Sequence, residues 1–123
     1  MSKSKRLPLV DPRILHRLEE EFEDPGPAHS FVRDFVSFWD ERYARLSEAV
    51  RLRDADASLD AVLSVRIASS MIGASRLADL AAELESTLKK GNPEAVAEAL
   101  PQLRDCGTAT VKKLTTTYIN ADW

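Results

Sequence analysis

Few residues in this sequence can act as nucleophiles or bases. Its 123 residues include two histidines, His16 and His29, and one cysteine, Cys106. An imidazole can accept a phosphoryl group, move a proton or bind a metal. His16 sits beside the apolar stripe of its segment, and His29 follows Pro27 at a helix start, so both are expected at the surface. One cysteine cannot close an internal disulfide or build a thiolate metal site. Cys106 lies beside Gly107 and within the Leu100–Leu103 stripe, where a buried small hydrophobe is the expected role. Ser64 has no adjacent base, and Ser69 and Ser70 are expected as small helix-packing residues. There is no glycine-rich phosphate loop, no histidine–acid metal pair and no triad, so the sequence calls for neither cofactor nor metal.

The charge balance narrows the partners. Lys and Arg number 17 and Asp and Glu 20, a formal net charge of -3. A surface built to hold nucleic acid by its phosphates leans the other way. With 44% apolar and 30% charged residues the chain has the composition of a folded domain. No apolar run reaches membrane-spanning length. The start carries Lys3, Lys5 and Arg6 but lacks the apolar stretch of a signal peptide. A cytoplasmic protein is expected, with residues 1–10 disordered or loosely packed and residues 11–123 forming one domain.

The elements that must position any site are helical. Asp11 followed by Pro12 is a helix start, and Ile14, Leu15, Leu18 and Phe22 form a short stripe. Pro25, Gly26 and Pro27 break it. A long helix is expected over residues 28–53, with Phe31, Val32, Phe35, Phe38, Trp39, Leu46, Ala49 and Val50 on its apolar side. After the polar turn at Asp54 a third helix starts near Ala57 and ends at Gly73. A fourth runs over residues 75–89, with Gly91 as its C-cap. Asn92 and Pro93 start a fifth that reaches about Ile119, with a kink expected at Pro101. Nothing alternates for long enough to build a sheet. The fold class is all-α: an up-and-down four-helix bundle with an additional short N-terminal helix. Phe35, Phe38, Leu46, Val62, Val65, Leu77, Leu84 and Leu103 are expected in its core.

Several stretches resemble the histidine-containing phosphotransfer (HPt) domains of bacterial phosphorelays. Asp11-Pro12 with Ile14, Leu15 and Leu18 is similar to the opening helix of that family. Phe31, Val32 and Phe35, leading to Leu46 and to Ala49-Val50, resemble its second helix. The strongest match is Ser69-Ser70-Met71-Ile72-Gly73-Ala74, followed by Leu77, Leu80-Ala81 and Leu84-Glu85. Family members typically read there "Ser-Ser-x-x-Leu/Val-Gly-Ala-x-x-Leu", then "Leu-x-x-x-Leu-Glu". Their phosphoaccepting histidine precedes the Gly of Gly-Ala by ten residues. Counted back from Gly73, that position is Leu63. Val65 takes the family's leucine place, Arg66 its lysine place, Ile67 its glycine place and Ala68 its serine place.

The resemblance therefore implies an HPt-like module whose phosphoacceptor has been replaced. Leu63 has no nucleophile, and Ile67 fills space that the family's glycine leaves for a receiver's active-site loops. No catalytic residue and no enzyme activity are expected. The implied partners are a response-regulator receiver domain or a histidine kinase. Leu63, Ile67 and Met71 follow one another at one-turn spacing and, with Arg66, form the expected partner-binding surface. The alternative is a structural bundle in which the same ridge is a homodimer seam or lies under Leu7, Pro8, Leu9 and Val10.

Overall fold

The computed structural model describes residues 6–120 of the chain. Five helices follow one another: α1 (Pro12–Glu20), α2 (Gly26–Arg51), α3 (Ala55–Ile72), α4 (Ser75–Lys89) and α5 (Pro93–Leu114). No strand occurs among the described residues. Around the bundle α2 packs on α3, α3 on α4, α4 on α5, and α5 back on α2, while α1 lies against α2 and α3. This is the expected all-helical bundle with a short additional N-terminal helix.

Local chemistry sets the helix ends. The Asp11 carboxylate accepts the Arg13 amide at 3.0 Å, with Pro12 in the first helical position. Asp54 caps α3 in the same way through the Ala57 amide at 3.0 Å, and Asn92 caps α5 through the Ala95 amide at 3.2 Å. Side-chain capping satisfies amides that the first turn of a helix leaves without a carbonyl. Helix α2 stops two residues earlier than expected because Arg53 takes a left-handed backbone, φ 56°. Gly73 ends α3 at φ 81°, and a Cβ there would lie 2.7 Å from the Asp11 carbonyl oxygen. Positive φ and close backbone approach both demand glycine at this corner.

Helix α5 continues through Pro101, whose outer surface faces solvent, and ends at Leu114 rather than near Ile119. The chain then widens into a π-type turn, Thr115–Ile119. Thr115, Thr116 and Thr117 donate their hydroxyls to the carbonyls of Val111, Lys112 and Lys113 at 2.8, 3.0 and 2.6 Å. Side-chain donors of this kind compete with the helical amide ladder and loosen it.

Leu46, Val62, Val65, Leu77, Leu84 and Leu103 are at most 1% exposed and Phe35 is 2% exposed, as expected. Phe38 is the exception, at 46%. The buried line of α2 is Ala28, Val32, Phe35, Trp39 and Leu46. Phe38 stands roughly a quarter of a turn from the middle of that line, so it leaves the core while its neighbour Trp39 enters it. The first five residues of the chain lie outside the described residues. Next to them, Val10 is buried, Arg76 donates its amide to the Pro8 carbonyl at 3.0 Å and its Nε to the Leu7 carbonyl at 2.9 Å, and the Asp11 amide reaches the Gly73 carbonyl at 2.8 Å. Residues 7–10 are thereby tied to the corner between α3 and α4.

Candidate functional site

Helix α3 presents its charged and apolar residues in two directions. Ile67 stands at the crest, 50% exposed, and Met71, one turn on, is 40% exposed. Both line a groove of about 480 Å³ between α2 and α3, whose other walls include Phe31, Phe38, Arg42 and Ser64. Leu63 and Arg66 do not line it. Leu63 is half-buried. Arg66 turns toward α4, where its Nε lies 3.0 Å from Glu85 Oε1, and Lys89 meets the other oxygen of the same carboxylate at 3.5 Å. At 100° per residue, Leu63 and Arg66 fall on the α4 side of Ile67 and Ser64 and Met71 on the α2 side. Of the four residues singled out from the sequence, the groove brings together Ile67 and Met71.

Phe31 and Phe38 complete the apolar walls, at 43% and 46% exposure. The sequence reading placed Phe38 in the core and Phe31 on the same apolar stripe. The signal that separates them is their spacing: seven residues apart, they share a line of α2 distinct from Val32, Phe35 and Trp39. Arg42 was also missed. Its guanidinium carbon lies 5.9 Å from the centre of the Phe35 ring, and its buried Nη1 has no hydrogen-bond partner. The cation rests on an aromatic face at the edge of the groove.

The other chemically capable side chains lie elsewhere. His16 is exposed, as expected, with Nε2 3.0 Å from Glu20 Oε1 one turn along α1. His29 stands in the first turn of α2 but is buried, against the expectation of a surface position, because Tyr118 from the π-type turn covers it with ring centres 5.3 Å apart. The Tyr118 hydroxyl donates to Glu19 Oε2 at 3.3 Å. Burial, with the Glu19 charge beside it, pushes the Tyr118 phenol up to about 12. Cys106 is free and buried, and burial raises its thiol pKa, which leaves it protonated and inert at neutral pH. Ser69 is fully buried and Ser70 exposed. No cluster of three metal-ligating side chains exists among the described residues.

The family model for the Hpt domain matches residues 30–112. The chain belongs to the HPt domain family. The crystal structure of histidine-containing phosphotransfer protein B (HptB) from Pseudomonas aeruginosa PAO1 superposes with a TM-score of 0.80 and 26% sequence identity, covering 89% of this chain and 93% of that one. No curated protein matches the chain. The matched stretch of this HPt domain contains no histidine, since His16 and His29 both precede residue 30. No helix of the described residues is long and apolar enough to cross a membrane. The HPt membership makes the domain a phosphorelay signalling module.

Proposed function

We propose that this HPt domain is a non-phosphorylatable binding module, which docks a receiver domain or a histidine kinase in the cytoplasm without carrying a phosphoryl group. The observation that carries this reading is the absence of histidine from residues 30–112 together with leucine at position 63. Phosphoryl transfer from a phosphoaspartate needs an exposed nucleophilic nitrogen, and the isobutyl group of Leu63 offers none. Ile67 adds bulk one turn further along the same helix. The docking surface of this reading is the ridge of Leu63, Arg66, Ile67 and Met71, extended across the groove by Phe31 and Phe38. Solvent-exposed apolar side chains gathered on one face are a contact surface in waiting. Arg66 is held by Glu85, and Arg42 stands on the groove wall without an ion pair among the described residues.

The test is phosphate uptake. Incubated with a phosphorylated receiver domain or an autophosphorylating histidine kinase, the wild-type chain is expected to acquire no acid-labile phosphate, while still binding the receiver in a titration. Labelling that disappears on His16→Gln or His29→Gln would overturn the reading. Leu63→His with Ile67→Gly rebuilds the missing nitrogen and the space around it, and is the fair attempt at restoring transfer.

A further inference from the structure

The outer line of α2 carries residues spaced symmetrically about one position, with unlike partners at mirrored places. Phe31, Asp34, Phe38, Arg42 and Arg45 all fall within roughly 40° of one line along the helix. Phe38 is the midpoint. Asp34 and Arg42 stand four residues to either side of it, and Phe31 and Arg45 seven. Asp34, Phe38 and Arg42 also line the groove. Among the described residues neither Asp34 nor Arg42 forms an ion pair within 4.0 Å, and Arg42 keeps a buried nitrogen without a hydrogen-bond partner.

We propose that the groove face is occupied by a second copy of this chain, with the two α2 helices antiparallel across a two-fold axis at Phe38. In that arrangement Phe38 meets the partner's Phe38, and Asp34 pairs with the partner's Arg42. Phe31 lies under the partner's Arg45. A two-fold interface uses one patch twice, so every contact away from the axis occurs in duplicate. Opposite charges equidistant from the axis are what such an interface requires, and antiparallel pairing is the only register that brings Asp34 to Arg42 in both directions. A guanidinium over an exposed phenylalanine ring adds a cation–π contact at each end. Ile67 and Met71 border the seam from α3 and lose their solvent exposure in it. The groove cannot hold the second copy and a docked receiver at once. That exclusion rests on the docking reading above, whereas the dimer does not.

The experiment is sedimentation equilibrium of the full chain alone, with helical content followed by circular dichroism. The wild type is expected to show a concentration-dependent monomer–dimer equilibrium. Arg42→Asp turns both charge pairs repulsive and should weaken the dimer by about tenfold or more. Asp34→Arg combined with Arg42→Asp restores opposite charges on both sides of the axis and should recover the dimer. Phe38→Ala should abolish it without loss of helix. A wild type that remains monomeric at about 1 mM overturns the proposal. So does a double swap that stays as weak as Arg42→Asp, since a contact with any unrelated surface would not be repaired by exchanging the two charges within one chain. Binding of a receiver domain is measured separately, so a failed dimer and a failed docking reading give different results.

Discussion

Trp39 of α2 lies directly on the backbone of Gly107 of α5, and its indole occupies the space that a Cβ at residue 107 would need. Trp39 is 3% exposed and Gly107 is buried, so neither side can move away into solvent. A glycine in mid-helix costs about 1 kcal/mol relative to alanine. Here that cost is offset by the packing of the largest side chain in the core. Gly107→Ala is therefore expected to destabilise the fold by about 1–3 kcal/mol despite its better helix propensity. Urea unfolding followed at 222 nm measures it. A stabilised variant would show that the indole has room to retreat.

A second glycine is needed for a different reason. At Gly73 the left-handed backbone and the Asp11 carbonyl oxygen both exclude a side chain. Gly73→Ala should lower stability by more than about 1 kcal/mol. Gly91 also has positive φ, 71°, but open space around it, so Gly91→Ala should cost less than Gly73→Ala. The difference between the two melting temperatures reports the contacts with Asp11 and Ile14 together.

Two acids raised by burial, Tyr118 and Cys106, contribute to the pH dependence at the alkaline end, and Tyr118 can be followed by its own absorbance. Its phenol is raised from 10.0 to about 12 in the folded chain, so the folded state favours the protonated form. The stabilisation is fully present below pH 10 and is lost as pH rises through about 12. Ultraviolet difference absorbance of phenolate should show one tyrosine titrating near the upper value. Tyr118→Phe should remove that step and flatten the loss of stability between the two values. An unchanged alkaline limb in the variant would assign it to the buried Cys106 thiol.

Exposure separates the residues of the α3 ridge. Ile67 stands half out of solvent, so Ile67→Asp should leave the melting temperature nearly unchanged while weakening partner binding. Leu63 is half-buried on the side toward α4, where an unpaired carboxylate is poorly solvated. Leu63→Asp should lower the melting temperature measurably. Equal melting temperatures for the two would mean that Leu63 is as open to solvent as Ile67.

Much of this fold is legible because the turns are chemically explicit. Asp11-Pro12, Asp54, Gly73 and Asn92-Pro93 each name a helix end, and the structure places an end at every one. The stripe of α2 was harder. Phe31, Val32, Phe35, Phe38 and Trp39 are all apolar, and hydrophobicity alone does not say which pair of aromatics faces inward. Only the partner helices decide that, through Gly107 for Trp39 and through the open α2–α3 groove for Phe38. Arg66 could be read as a free cation because its acid, Glu85, is 19 residues away on the next helix. His29 could be read as exposed because the residue that covers it, Tyr118, comes from the far end of the chain. The proposed replacement at position 63 rests on the sequence alone, through the count of ten residues back from Gly73.

The hydrogen bonds that join residues 7–11 to Gly73 and Arg76 give the α3–α4 corner an unusual kinetic standing. The amide of Arg76 points at the Pro8 carbonyl and that of Asp11 at the Gly73 carbonyl. Both are closed by contacts more than sixty residues apart in sequence. Such contacts close long loops, and they open together when the first helix lifts away. In hydrogen–deuterium exchange, the amides of Asp11 and Arg76 should therefore exchange at one common rate, faster than those of the neighbouring helix interiors. The end of α3 nearest Met71 is thus coupled to the first helix, and a ligand that grips the Met71 end of the ridge should slow exchange at Asp11, on the opposite end of the sequence.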